Sequence, residues 1–335
     1  MRRLYALLAA CALALVAPVP ASAAAEPHCQ PFQRTVPVVL GKALLSGTLC
    51  RPDFASTVVV MVPGATYNHA YWDFPYQPEL YSFRRAMNAA GYATAVIDRL
   101  GTGESSRPLG AQVTTPIQAG AVHEVVKALR AAEIDGTAFD RVIVAGHALG
   151  ATIAITATAT HGDVDALLVT GLAHKANAEP LAELVAGLVP AAKDALLGPR
   201  GYDPTYLTTK TGLRGQLFHA PGTVDPEVVK TDESTKDVVL PTEAADAVGL
   251  SLVAPQSARV NVPVLTALGG SDRFMCGDCT DLAASERVFY AASPCVQGYV
   301  LPGAGHALNL HPRTAEFQRA ALTWVAKVVA GPLAC

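Results

Sequence analysis

The chain has 335 residues, 51% of them hydrophobic and 16% charged, with a formal net charge of −3. That length suffices for one large domain with a substantial core, or for a core carrying an inserted subdomain. A slightly acidic balance, with no Lys/Arg run and no aromatic-basic stripe, argues against nucleic acid as a partner.

The N-terminus reads as a targeting segment. Arg2 and Arg3 charge the n-region, residues 4–16 supply an apolar stretch, and Ala21-Ser22-Ala23 offers an A-x-A cleavage site. The stretch is short for a membrane span and runs into Pro18 and Pro20. The expectation is therefore a secretory signal peptide over residues 1–23, cleaved near Ala23, with no stable membrane anchor. Cys11 lies inside the apolar stretch, too early for a lipobox. Without it, Cys29, Cys50, Cys276, Cys279, Cys295 and Cys335 remain, an even set suited to an oxidising compartment. Fifteen pairings are open; the expected one joins Cys29 to Cys50, Cys276 to Cys279 and Cys295 to Cys335. Cys276-Gly277-Asp278-Cys279 also fits a redox or zinc half-site, but no second C-x-x-C or His pair completes a metal set. No metal or cofactor is expected.

Strand-like and helix-like segments then alternate, the pattern of an α/β sheet. Residues 36–40 and 43–50 read as a hairpin around Gly41-Lys42. Residues 57–62 are a buried strand ending in Pro63-Gly64, 81–90 a helix stopped by Gly91, and 93–97 the next strand. Val122, Val125, Val126 and Leu129 give residues 117–131 helical spacing. A strand at 141–145 feeds Gly146-His147-Ala148-Leu149-Gly150, and a small-residue helix leaves at 149–160. Strands at 166–170, 262–268 and 298–301 and an amphipathic helix at 314–329 complete the series. Between His174 and Arg259 the alternation stops, while Pro, Thr and acidic residues accumulate. So long a structureless loop is uncommon in a compact domain. Residues 174–259 are thus expected to form a mostly helical cap inserted between core segments 24–173 and 260–335.

Four stretches carry a resemblance to the α/β-hydrolase superfamily, in a secreted, actinobacterial-type form, and it spans nearly the whole mature chain. Val60-Met61-Val62-Pro63-Gly64-Ala65-Thr66 stands where the family has its oxyanion strand and loop, with Pro63 in place of His. Asp98-Arg99-Leu100-Gly101-Thr102-Gly103-Glu104-Ser105 matches the D-x-x-G-x-G-x-S turn. Gly146 to Gly150 occupies the nucleophile elbow, and Asp272 and His306 follow in the family's order of elbow, acid and His. The resemblance implies an α/β-hydrolase fold, a mostly parallel central sheet flanked by helices with an inserted helical cap. It also implies a site with Ala148 in the nucleophile position, Asp272 and His306 beside it, and oxyanion amides from Ala65 and Leu149. Thr66, His69, Tyr71 and Trp72, with His147 and the cap residues Tyr206 and Phe218, are expected to border the pocket of an apolar, medium-sized small-molecule substrate. A lipid-like or polyketide-like ester or lactone would suit it. The same rings also suit plain packing beneath the cap, and His147 packing beside the elbow. Taken singly, Asp272 reads as a loop cap and His306 as an ordinary loop histidine; their order on the right elements is what makes them a site.

An acyl-enzyme needs a nucleophile that a base can deprotonate, and the methyl of Ala148 is none. One reading is a serine-hydrolase type, acting on an ester or related acyl bond, whose serine has been exchanged for Ala148. If alanine is native, His306–Asp272 can act as a general base without a covalent step, in water-activated hydrolysis or in a lyase or cyclase acting on a secondary metabolite. A non-catalytic ligand-binding protein is the remaining alternative.

Overall fold

Why these residues form a sheet shows best in the third strand of the computed structural model, which describes residues 26–277 and 279–335. The signal-peptide expectation and Cys11 lie outside the described residues. Thr57–Val62 is buried along its whole length, so it reads as a continuous apolar run instead of an alternating one. Its side chains still alternate between faces. Val58, Val60 and Val62 join one core with Val122, Val125 and Leu129; Val59 and Met61 join the other with Trp72, Phe83 and Trp324.

In chain order the elements are β1 (His28–Val38), β2 (Gly41–Arg51), β3 (Thr57–Val62), α1 (Pro78–Tyr81), α2 (Phe83–Ala89), β4 (Ala93–Ile97), α3 (Thr115–Arg130), β5 (Arg141–His147), α4 (Leu149–His161) and β6 (Ala166–Thr170). An insertion follows with α5 (Ala178–Ala186), β7 (Leu188–Pro190), β8 (Leu207–Thr209), α6 (Leu213–Leu217), α7 (Pro226–Ser234) and α8 (Pro241–Val248). The chain closes with β9 (Val264–Gly269), α9 (Leu282–Arg287), β10 (Val296–Leu301) and α10 (Thr314–Ala330). The eight-stranded sheet runs β1-β2-β4-β3-β5-β6-β9-β10, and every pairing from β4 to β10 is parallel. This is the α/β-hydrolase fold, a mostly parallel central sheet flanked by helices.

Three local expectations need correcting. The opening hairpin turns at Val39-Leu40, before Gly41, and β1 reaches back to His28, where Cys29 faces Cys50. Residues 28–35 alternate between exposed and half-buried because β1 is an edge strand, so no apolar run announces them. The single helix expected over 81–90 is two, because Ser82 Oγ accepts from the Arg85 N–H (3.1 Å) and caps the second. The stretch expected to be mostly helical, residues 174–259, also holds an antiparallel pair, with Leu188 opposite Thr209. Disulfides join Cys29 to Cys50, Cys276 to Cys279 and Cys295 to Cys335.

Both ends of the insertion are tied to the core by one buried row of polar groups. His174 Nδ1 meets Glu286 of α9 at 2.6 Å, and its Nε2 meets Ser257 Oγ at 2.7 Å. Ser257 is fully buried, and none of the three lines the cavity described next. The row is a fastening, because no substrate can reach its hydroxyl.

Candidate active site

Parallel strands collect their C-terminal ends on one edge, which is where open α/β sheets place ligands. Ala148 directly follows β5, the Gly64–Thr66 loop follows β3, Asp272 lies just past β9, and His306 lies in the loop after β10. Ala65, Thr66, Ala148, Leu149 and His306 line one cavity of about 210 Å³. Aliphatic side chains from β6 and the insertion close it, including Leu172, Leu181, Leu184 and Val239. Val185 and Val248, 69% and 47% exposed, stand at its outer wall.

The elbow is a strained turn held by its neighbours. Ala148 has φ 49° and ψ −115°, a conformation that costs an L-residue on the order of 1–3 kcal/mol. Two glycines permit it. A Cβ on Gly146 would lie 2.4 Å from the Gly150 carbonyl oxygen, and one on Gly150 would lie 2.3 Å from that of Val62. No side chain caps the first turn of α4, where a helix N-terminus carries partial positive charge, and Leu149 at its start lines the cavity.

His306 Nδ1 is 2.9 Å from Asp272 Oδ2, with the carboxylate fully buried. Asp272 Oδ1 accepts from the Phe274 N–H at 2.8 Å, so the acid is anchored by backbone as well as by imidazole. A carboxylate only accepts, so His306 Nδ1 is the donor in this contact and Nε2 is the ring atom left without a hydrogen-bond partner among the described residues. Phe274 (4.7 Å between ring centroids) and Phe218 (5.7 Å) flank the imidazole. The Ala307 N–H donates to the Phe218 carbonyl (2.8 Å), so the insertion holds the histidine loop.

The expected pocket residues divide. Thr66 and Phe218 line the cavity; His69, Tyr71, Trp72, His147 and Tyr206 do not. His69 instead pairs with Asp98 at 2.9 Å, and that carboxylate also raises its pKa. Trp72 is a core residue against Phe83, and the Tyr206 hydroxyl donates to the Pro108 carbonyl at 2.6 Å. His147 packs behind the elbow, stacked on Tyr71 at 4.1 Å. Burial, then the neighbouring His306 and Arg214, hold its pKa well below the usual histidine value, so it is neutral at pH 7. The physical reason for Tyr71 and Trp72 is that the turn after Thr66 directs both rings into the core on the other side of the sheet from Val58, Val60 and Val62.

Two buried guanidinium groups that no sequence motif announces brace the Gly64–Thr66 loop from both sides. Arg99 pairs with Glu243 of α8 (2.7 and 2.8 Å) and donates through Nη2 to the Gly64 and Val238 carbonyls. Arg214 of α6 pairs with Asp232 of α7 and donates through Nη1 to the Thr66 carbonyl (3.0 Å) and Oγ1 (2.8 Å). His219 Nε2 is 3.0 Å from the same Asp232. Burial alone would raise the Asp232 carboxyl, but Arg214 and His219 outweigh it and bring it down to about 2. Ala65 thus sits between two clamped carbonyls. The charged residues of the insertion give no hint of which are buried, and the sequence offers no spacing that would pair residues 214 and 232.

A sequence model of the Alpha/beta hydrolase family matches residues 59–317. The chain belongs to the alpha/beta hydrolase family. No curated relative matches it. Among solved structures of the family's fold, a thermophilic esterase from Thermogutta terrifontis superposes with a TM-score of 0.62 at 17% identity, covering 89% of this chain and 99% of that one. An alpha/beta hydrolase fold protein from Chitinophaga pinensis gives 0.59 at 13%, covering 90% and 98%. A peroxisomal alpha-beta-hydrolase from Saccharomyces cerevisiae gives 0.57 at 13%, covering 92% and 91%. At these identities the likeness is one of fold. Among the described residues no helix is long and apolar enough to cross a membrane, and no group of three or more His, Cys, Asp or Glu is placed to hold a metal ion.

Proposed function

We propose that this is a secreted, capped site of serine-hydrolase type for an ester or related acyl bond of an apolar, medium-sized substrate. Ala148 occupies the nucleophile position, and turnover runs through water activated by the His306–Asp272 pair. The observation that carries the reading is the juxtaposition of His306 and the Ala148 methyl in one apolar cavity, beside the uncapped start of α4. His306 Nε2 takes a proton from a water held over that methyl, and the hydroxide adds to the substrate carbonyl carbon. The carbonyl oxygen collects negative charge between the Ala65 and Leu149 amides. Asp272 stabilises the imidazolium, which returns the proton to the departing alkoxide as the acyl–oxygen bond breaks. The base supplies about 10²–10⁴-fold and each oxyanion amide about 10²–10³-fold, which gives a slow enzyme but a real one. The esterase among the similar structures lends the ester reading support by analogy of fold.

The test is hydrolysis of p-nitrophenyl butyrate and hexanoate. The native chain should turn over slowly without a burst, and His306→Ala should abolish this. Ala148→Ser should raise the rate at least about 10²-fold with a burst of nitrophenol, the mark of an acyl-enzyme. Activity indifferent to His306→Ala, or an Ala148→Ser variant that stays silent, would overturn the reading. Three disulfides support the secreted location; the exported chain should begin at residue 24.

A further inference from the structure

Beyond the Gly64–Thr66 loop, the elbow and His306, the cavity lining is aliphatic or aromatic except for the hydroxyls of Thr152 and Ser251 and the thioether of Met275, with Tyr67 adding a buried phenol. Thr152 Oγ1 and Ser251 Oγ stand 2.7 Å apart, both almost completely buried and both on the cavity wall. Thr152 belongs to α4 of the core; Ser251 belongs to a single turn of π-helix, Gly249–Val253, at the end of the insertion. π-turns are rare and recur at functional positions. The pair holds two hydroxyl protons, and its mutual bond uses one. The second proton meets no other acceptor among the described residues, and a buried donor left unused is costly. Thr152 lies one turn beyond Ala148 on the same helix, so the hydroxyls stand roughly 6 Å along the axis from the reacting centre.

Resting on the acyl-site reading above, we propose that Thr152 and Ser251 form a second subsite, which accepts a carbonyl, ether or hydroxyl oxygen carried by the substrate about one helical turn from its scissile bond. The preferred substrate class is then an oxygenated acyl chain or lactone, in preference to a plain alkanoate. An unoxygenated chain would leave the spare proton facing methylene groups, and this penalty is the source of selectivity.

Binding of ketones that cannot be hydrolysed separates this proposal from catalysis. Calorimetric titration of the full chain with undecan-2-one, undecane-2,6-dione and undecane-2,10-dione varies only the presence and position of a second oxygen. The 2,6-dione should bind about tenfold more tightly than the other two, the gain of one hydrogen bond to a buried donor. The double variant Thr152→Val/Ser251→Ala should erase that preference by tightening undecan-2-one and undecane-2,10-dione toward the 2,6-dione, because either single variant leaves one hydroxyl and its unused proton on the wall. Equal affinities for all three ketones in the native chain would overturn the subsite. So would a preference that survives the double variant while its melting temperature falls, since the pair would then be a fastening between insertion and core. If none of the ketones binds, the acyl-site reading fails along with the subsite. If Ala148→Ser gains esterase activity but the ketones bind alike, that reading stands and the subsite alone is refuted.

Discussion

Arg214→Met tests whether the insertion is part of the catalytic scaffold or a cover laid over it. The substitution keeps much of the side-chain volume and removes four hydrogen bonds, two to Asp232 and two to Thr66. Both charges of the ion pair are shielded from water, with side-chain exposures of 0% and 1%. Breaking such a pair costs about 3–5 kcal/mol, because the surviving charge stays buried. His219 still contacts Asp232, which places the expectation at the lower end of that range. At about 2 °C per kcal/mol for a chain of this size, the melting temperature should fall by about 6 °C. Calorimetric melts of the native chain, Arg214→Met, Asp232→Leu and the double variant complete a cycle. Removing both charges should recover most of the loss, since an apolar pair of similar volume is often neutral. Ester hydrolysis should fall through kcat in Arg214→Met, because releasing the Thr66 carbonyl loosens the Ala65 amide. A loss below about 1 kcal/mol, or a double variant worse than either single one, would refute the clamp.

Three further outcomes follow from the same geometry. The penalty of Arg214→Met should shrink in acid. Asp232 is held at about 2 when folded against an ordinary value of about 3.9, so its stabilising contribution is complete above about pH 4 and is lost as pH falls toward 2; melts at pH 7, 4 and 2.5 report the narrowing gap. Asp272→Asn should lower ester turnover by about 10²–10⁴-fold with little change in KM, measured on p-nitrophenyl esters, because Asn fails to stabilise the imidazolium. Gly150→Ala should cost about 1–3 kcal/mol by driving a methyl into the Val62 and Pro63 carbonyls, whereas Gly120→Ala, in open space within α3, should stabilise by about 0.5–1 kcal/mol; urea titrations distinguish the two.

Much of the architecture was legible because the sheet interior is written in uninterrupted apolar runs. The expected bounds of β3, β4 and β6 coincide with those observed, and the elbow announced itself through Gly146 and Gly150, whose backbone contacts tolerate no side chain. Asp272 and His306 were legible through their order along the chain, and 2.9 Å now separates them. The polar half of β1 was not, since an edge strand in water needs no apolar run. The aromatic loop after Thr66 misled because amphipathic rings serve a pocket and a core equally well, and Trp72 went to the core. Arg99–Glu243 and Arg214–Asp232 were invisible for a different reason: partners 144 and 18 residues apart meet through tertiary packing that no local period encodes.

His174 and Ser257, at opposite ends of the insertion, meet through the His174 imidazole, which the Glu286 carboxylate of α9 anchors. A flap hinged at a single root swings, but one nailed down at both roots does not. Substrate entry in this protein therefore calls for breathing of the valine-studded rim formed by α5 and α8, so occupancy should be governed by how often that rim parts, with the bulk of the insertion staying put.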